Sequence, residues 1–344
     1  MNPDKILIIQ TAFLGDVVLS TPLIRAVKKK YPNSKVFFLL IPQTEELLKN
    51  NPFLDGIIVY DKKGKEKGVF GFLDLVKRVK SSEFDLALIP HRSLRSALLG
   101  YLAGIPQRIG FDKSSGAFLL TQTIKYIQNQ PETKRNLSLL GKDISSESDS
   151  LPELFPSEDD FKYIDELFKS WNVKKEDKIV GIAPGSVWNT KRWLPERFGQ
   201  VAEALIEKLG AKVIFIGGKE DEKLCLKISS NMKRNPVIAA GKTSPLQSAA
   251  LISRCKVILS NDTAPMHIAV AMRIPVIAIF GSTIPEFGFA PTGKNDLVIQ
   301  KELYCRPCGI HGRKKCPEKH FRCMKEISVE EVFQAVERLW SANY

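Results

Sequence analysis

Residues 256–281, KVILSNDTAPMHIAVAMRIPVIAIFG, decide how this chain is read. Val257-Ile258-Leu259 and Pro275–Phe280 are continuous apolar runs, the pattern of parallel strands buried on both faces. Between them a polar turn, Asn261-Asp262-Thr263, opens a short helix, so the stretch is a compact βαβ unit. Open α/β sheets bind ligands at such a meeting of strand carboxyl end and helix amino end, where free N–H groups suit an anion. His267 follows one helical turn later. From these residues alone two readings stay open: an anion-binding edge, or a capping Asp262 or Thr263 with a packed histidine.

The same grammar extends outward in both directions. Toward the N-terminus, KILIIQ (5–10) leads into TAFLGD and a helix expected from Val17 to about Lys30, which Pro32 ends. Strands at Val36–Leu40, Gly56–Tyr60, 84–90 and 106–111 alternate with helices near Glu45–Lys49, at Phe70–Lys80 and over SLRSALLGYLAG, and Lys134–Leu140 closes the half. Residues 141–157, GKDISSESDSLPELFPS, have a linker's polar, Pro/Ser-rich composition, so the boundary is placed at 150/151. The second half repeats the alternation through DKIVGIAP, AKVIFIGG (211–218) and PVIAA (236–240). At 344 residues the chain is long for one core. The expected fold is therefore α/β, with domains 1–150 and 151–344 each built on a parallel sheet, and the final helix, about Val329–Trp340, packing back on the first domain.

Net charge is +13, which asks for an acidic partner. Residues 1–150 hold 22 basic and 15 acidic residues, and residues 301–325 hold eight and two, so the charge is local rather than diffuse. No stacking platform or recognition helix accompanies it, which argues against nucleic acid; a phosphorylated lipid surface is equally acidic. No apolar run is long enough to span a bilayer, and the first residues lack a signal peptide's basic start, so a cytoplasmic protein is expected.

Other residues stand where chemistry could occur. Asp16 opens a helix at the carboxyl edge of the first strand, as an N-cap or as a displayed carboxylate. Arg92, Arg95 and Arg108 are read as gathered at the same edge, where guanidinium groups suit phosphate or carboxylate, with solvated surface arginines as the plain alternative. In PGSVWNTKRWLPERF (184–198), Gly185 and Ser186 can face an oxyanion and Lys191 adds a mobile cation. Neither Gly-x-x-x-x-Gly-Lys-Ser/Thr nor Gly-x-Gly-x-x-Gly occurs, which excludes a P-loop and disfavours a dinucleotide enzyme.

Four stretches together resemble glycosyltransferase family 9, the ADP-heptose:lipopolysaccharide heptosyltransferases: 14–32, 95–111, 183–198 and 260–282. They lie in family order over most of the chain. The resemblance implies the GT-B arrangement, two Rossmann-like domains facing across a cleft, with acceptor on the first and nucleotide-sugar on the second. It implies inverting, metal-independent transfer, without a cofactor, of heptose from ADP-heptose to the lipid A-linked inner core. The tail most resembles the branch that adds the second heptose. Asp16 matches the family's base. Ser186, Lys191, Thr263 and Ala264 match phosphate-contacting positions, Asp262 the acid near the sugar or its phosphates, and His267 a neighbour of that site; Glu222 is a looser match to a ribose contact. Arg92, Arg95 and Arg108 become candidates for the acceptor. Many relatives carry glycine at Ala264, so the turn is expected to need no positive φ here. A monomer acting at the cytoplasmic face of the inner membrane is implied. The rival readings are a family member with another sugar donor or core acceptor position, and a nucleotide-binding module without catalysis.

Cys305, Cys308, Cys316 and Cys323, with His311 and His320 among them, have a spacing short but usable for tetrahedral zinc. The alternative is reduced thiols that hold a basic loop by packing. That loop, with Lys314 and Lys315, is also a candidate to face lipid A phosphates or the anionic leaflet.

Overall fold

The computed structural model describes residues 2–141 and 150–342, which divide into two units, Met1–Phe155 and Pro156–Tyr344. The first contains a six-stranded parallel sheet: β1 (Lys5–Ile9), β2 (Lys35–Leu40), β3 (Gly56–Val59), β4 (Leu86–Ile89), β5 (Gln107–Phe111) and β6 (Gln122–Ile124), in the order β3-β2-β1-β4-β5-β6. The second repeats it with β7 (Ile179–Ala183), β8 (Lys212–Phe215), β9 (Val237–Ile238), β10 (Val257–Asn261), β11 (Val276–Ile279) and β12 (Leu297–Ile299), in the order β12-β11-β10-β7-β8-β9. Renumbered from its own first strand, the second sheet has the order of the first, and both are the doubly wound Rossmann order. The switch point, where successive strands depart to opposite sides, lies between β1 and β4 in one unit and between β7 and β10 in the other. Residues of β1, β4, β7, β10 and β11 are almost wholly buried, as their unbroken apolar runs require.

Two expectations are corrected. The helix expected over Val17 to Lys30 is two, Leu14–Val18 and Thr21–Lys30, because Pro22 starts the second and cannot continue the first. The division falls at Phe155/Pro156 rather than 150/151. The Glu153 N–H donates to Thr21 Oγ1 (3.0 Å), its carboxylate meets Arg25, and Phe155 lies edge-on to Phe53, so these residues belong to the first unit. Residues 142–149 of the expected linker lie outside the described residues. The last helix is Val329–Ser341. Its stripe of Val332, Phe333, Val336 and Leu339 is buried against the helix Pro195–Leu209 and the sheet of its own unit.

Candidate active site

In the second unit the site is built on the β7/β10 switch point. Asn261 ends β10 and is fully buried; its Nδ2 donates to the carbonyl of Pro184 (2.9 Å) and its Oδ1 accepts from the N–H of Trp193 (3.0 Å). One side chain thus clamps the 184–193 turn to the strand beside it. Asp262 follows, with its carboxylate 95% buried against Lys191 Nζ (2.6 Å) and accepting a hydrogen bond from Thr283 Oγ1 (2.7 Å). Thr190, next to the lysine, donates to Ser282 Oγ (3.0 Å), which fixes the approach of the 186–191 turn to the end of β11. Ser186 is buried, and its hydroxyl accepts from the N–H of Trp188 (3.3 Å).

The helix Ala264–Ala271 begins on Thr263, which makes no side-chain cap. Thr263 and Ala264 are half-buried next to the Lys191–Asp262 pair, and the Thr263 hydroxyl donates to the Asn261 carbonyl (3.4 Å). Ala264 is the helix's first residue and has no positive φ, so this turn tolerates a side chain. His267 lies one turn in and is buried; desolvation holds its pKa down to about 4 although Asp262 favours the charged form. It is a neutral ring at neutral pH. Glu222 starts the helix Glu222–Ser230 beyond β8 and pairs with Lys242 Nζ (3.2 Å).

Two members of this site were not singled out from sequence. Thr283 carries no motif and is brought to Asp262 only by the β10–β11 pairing. Asp221 is the other. A Cβ on Gly185 would lie 2.0 Å from its Oδ1, so the chain needs glycine there to let the carboxylate sit behind the 184–186 turn. Burial raises the pKa of Asp221, against an opposing N–H from Gly218. The Gly-Gly pair at 217–218 was the available signal.

In the first unit, the β1/β4 switch point is bridged by Thr11 and His91, whose Oγ1 and Nδ1 are 3.0 Å apart; Ser96 Oγ is 2.9 Å from the same nitrogen. Burial, with Lys62 and Arg92 nearby, lowers the His91 pKa to about 4. Lys62 Nζ donates to the Thr11 carbonyl (2.6 Å), and burial with Lys63 and Arg95 nearby lowers its pKa too. Arg92 stacks on Tyr126 with its guanidinium carbon 4.2 Å from the ring centroid, and Arg95 reaches Tyr60 Oη (3.4 Å). Asp16 sits in the first turn of Leu14–Val18, where its Oδ2 accepts the Phe13 N–H (3.1 Å). The carboxylate thus orients its own helix while standing at the sheet's ligand edge.

Arg108 is not at that edge. It pairs in register with Ala87 near the start of β4, at the amino end of the sheet, because β5 begins at Gln107. Its Nε donates to the Leu119 carbonyl (2.8 Å) and its Nη1 to that of Ile105, so its work is to tie loops together. The zinc arrangement is also not formed: among the described residues no three His, Cys, Asp or Glu side chains are placed to hold a metal ion. Cys323 is a core residue, Cys308 Sγ donates to the Cys305 carbonyl (3.5 Å), and Cys305 Sγ lies 3.8 Å from His320 Nε2. All six cysteines are free thiols.

Comparison with known proteins settles the family. The family model described as glycosyltransferase family 9 (heptosyltransferase) matches residues 72–321. The chain belongs to glycosyltransferase family 9. Among curated members, lipooligosaccharide heptosyltransferase 2 of Haemophilus ducreyi is 28% identical over 312 residues, covering 86% of this chain and 88% of that protein. Among solved structures, a family 9 glycosyltransferase from Veillonella parvula superposes with a TM-score of 0.86 at 24% identity, covering 98% of this chain and 97% of that one. The E. coli ADP-heptose LPS heptosyltransferase II gives 0.77 at 24%, covering 97% and 98%. The fold is that of the family's GT-B members, and the family is that of the heptosyltransferases of lipopolysaccharide core synthesis.

His91, half-buried, and His267, buried, set a pH dependence for this family 9 protein. Both are neutral when folded, with pKa values near 4 against about 6.5 unfolded. Between those values the unfolded chain binds more protons, so stability is complete above about pH 6.5 and falls as pH drops toward 4, by up to about 3 kcal/mol per histidine. Thermal melts from pH 7.5 to 4.5 should show a steeper decline for the parent chain than for His91→Gln/His267→Gln. Parallel declines would contradict the assignment.

Proposed function

We propose that the chain moves a heptose from ADP-heptose onto the inner core of a lipid A-linked acceptor, with inversion and without a metal, and that it adds the second heptose. The observation that carries this is the Lys191–Asp262–Thr283 constellation beside the start of Ala264–Ala271. A lysine on a fixed turn beside the backbone at Thr263-Ala264 is suited to a leaving diphosphate, whose charge grows as the glycosidic bond breaks.

In the proposed step Asp16 takes the proton of the acceptor hydroxyl as that oxygen bonds to the anomeric carbon. The bond from that carbon to the diphosphate oxygen breaks, and ADP leaves with its electron pair. Lys191, Ser186 and the backbone at Thr263-Ala264 receive the phosphate charge; Asp262 aims the lysine; His267 supports the helix start as a neutral ring; Glu222 is offered to the ribose. Arg92 and Arg95 hold an acidic group of the acceptor. That acceptor places the reaction at the cytoplasmic face of the inner membrane, and the chain acts as a monomer.

The relation to heptosyltransferase 2 proteins favours the second position. The test is acceptor-dependent ADP release from ADP-heptose, with acceptors ending at the lipid-linked acidic sugars, at one heptose or at two. Turnover is expected only with the one-heptose acceptor; equal release without acceptor would contradict transfer. The arginines separate within this assay. Arg95→Ala should raise KM for the acceptor about tenfold with the melting temperature unchanged, whereas Arg108→Ala should lower the melting temperature and leave KM alone. A KM effect of Arg108→Ala as large as that of Arg95→Ala would contradict the placement.

A further inference from the structure

The first unit carries a surface that the transfer chemistry does not use. The helix Gly68–Ser81 buries Phe72, Leu75, Val76 and Val79 against its sheet, yet shows a second apolar stripe outward: Val69 (70% exposed), Phe70 (84%) and Leu73. These positions are three and four apart, so they form one patch. The turn before them, DKKGKEKG (61–68), puts Lys63, Lys65 and Lys67 in solvent. Its two acids are used internally. Asp61 accepts the N–H groups of Gly64 and Lys65 (both 2.9 Å); Glu66 accepts the N–H of Asp61 (2.8 Å) and pairs with Arg78. On the helix, Asp74 pairs with Lys77. Among the described residues no carboxylate pairs with Lys63, Lys65 or Lys67.

The turn and the helix are held as one piece. A Cβ on Gly71 would come within 2.4 Å of the Glu66 backbone, so glycine allows the lysine turn to lie flat on the helix beside Phe70. Lys62 ties the same turn to the Thr11 carbonyl, and Arg95 stands over the Phe72 ring at 5.9 Å. The patch therefore borders the edge that holds Asp16, His91, Arg92 and Arg95. Phe13 and Leu94, each beginning a helix on that edge, are exposed as well.

Exposed aromatic and aliphatic side chains rimmed by unpaired lysines are complementary to one partner above others: an anionic bilayer. The apolar groups enter the boundary below the headgroups while the ammonium groups meet lipid phosphates. We infer that Val69, Phe70 and Leu73, with Lys63, Lys65 and Lys67, form a membrane-docking face that brings the acceptor edge of the first unit to a negatively charged lipid surface. This rests on the reading of the acceptor as lipid-borne, and it names the surface by which the chain would reach it. Residues 301–325 offer a weaker case although they are the most basic stretch: Arg306 bonds to the Thr283 carbonyl, Arg313 to that of Cys308, and Arg322 pairs with Glu326.

The test is sedimentation of the full chain with vesicles of phosphatidylglycerol and phosphatidylcholine, compared with phosphatidylcholine alone. Each lysine near an anionic surface contributes roughly fivefold to partitioning. Lys63→Glu/Lys65→Glu/Lys67→Glu should thus reduce binding to mixed vesicles by more than tenfold, and Val69→Ser/Phe70→Ser should reduce it severalfold, with unchanged melting temperatures. Neither variant should slow transfer to a soluble, deacylated acceptor. Unchanged vesicle binding in both variants would overturn the proposal, as would loss of binding in Lys314→Glu/Lys315→Glu alone, absence of vesicle binding by the parent chain, or slowed transfer to the soluble acceptor. If the parent chain binds vesicles but transfers nothing to soluble acceptor, the functional reading fails and the docking face stands.

Discussion

Asp16→Asn is expected to lower kcat for heptose transfer by about a thousandfold while ADP affinity stays within about twofold. The choice of asparagine is set by the local structure. Asp16 has a structural duty, because its Oδ2 accepts the Phe13 N–H at 3.1 Å and completes the first turn of Leu14–Val18. An asparagine carbonyl can keep that bond, so the helix holds its place and only the capacity to accept a proton is removed. Asp16→Ala loses both, and its melting temperature should fall as for a lost cap, about 1 kcal/mol. The two variants should therefore be equally inactive and differ in stability. Asp16→Asn with near-parental turnover would show that the residue is a cap and nothing more.

The second large effect concerns Lys191 and Asp262. Lys191→Met leaves a carboxylate 95% buried with Thr283 and without its cation, which should cost about 3–5 kcal/mol of stability. It also removes the cation offered to the leaving diphosphate, worth a further factor of about a hundred to a thousand in kcat. Adding Asp262→Asn removes the stranded charge, so the double variant should recover much of the lost stability and none of the activity. Chemical denaturation and transfer assays on the two singles and the double read the two roles separately. If the double variant regains activity with stability, Lys191 serves only to neutralise Asp262.

What could be read from the residues follows the range of the forces involved. Buried parallel strands announce themselves because every residue must be apolar, so β1, β4, β7, β10 and β11 were legible. The edge strands β6 and β12 were not: each has three residues, mostly part-exposed or exposed, and pairs with a single neighbour. Arg108 was misplaced since a strand's composition does not say which end of it faces the ligand; one residue after the start of β5, it lies at the wrong edge. The closing helix shows its apolar stripe in sequence, but a stripe does not name the surface that covers it. At the site, Asp262 and Lys191 were each legible from local turn chemistry. Their contact spans 71 residues and depends on Asn261 bridging two strands, which no local pattern encodes.

The polar turn at 261–263 could be either a cap or a ligand edge from sequence alone. In the structure Thr263 makes no cap and Asp262 is turned toward Lys191, so the turn is organised around a charge and not around its helix. The measurement that tests this account most directly is mass spectrometry of the product formed from ADP-heptose and a core acceptor bearing one heptose. The account predicts an acceptor heavier by one heptose and an equal amount of ADP. Recovery of unmodified acceptor, with ADP-heptose either intact or hydrolysed to free heptose, would contradict it.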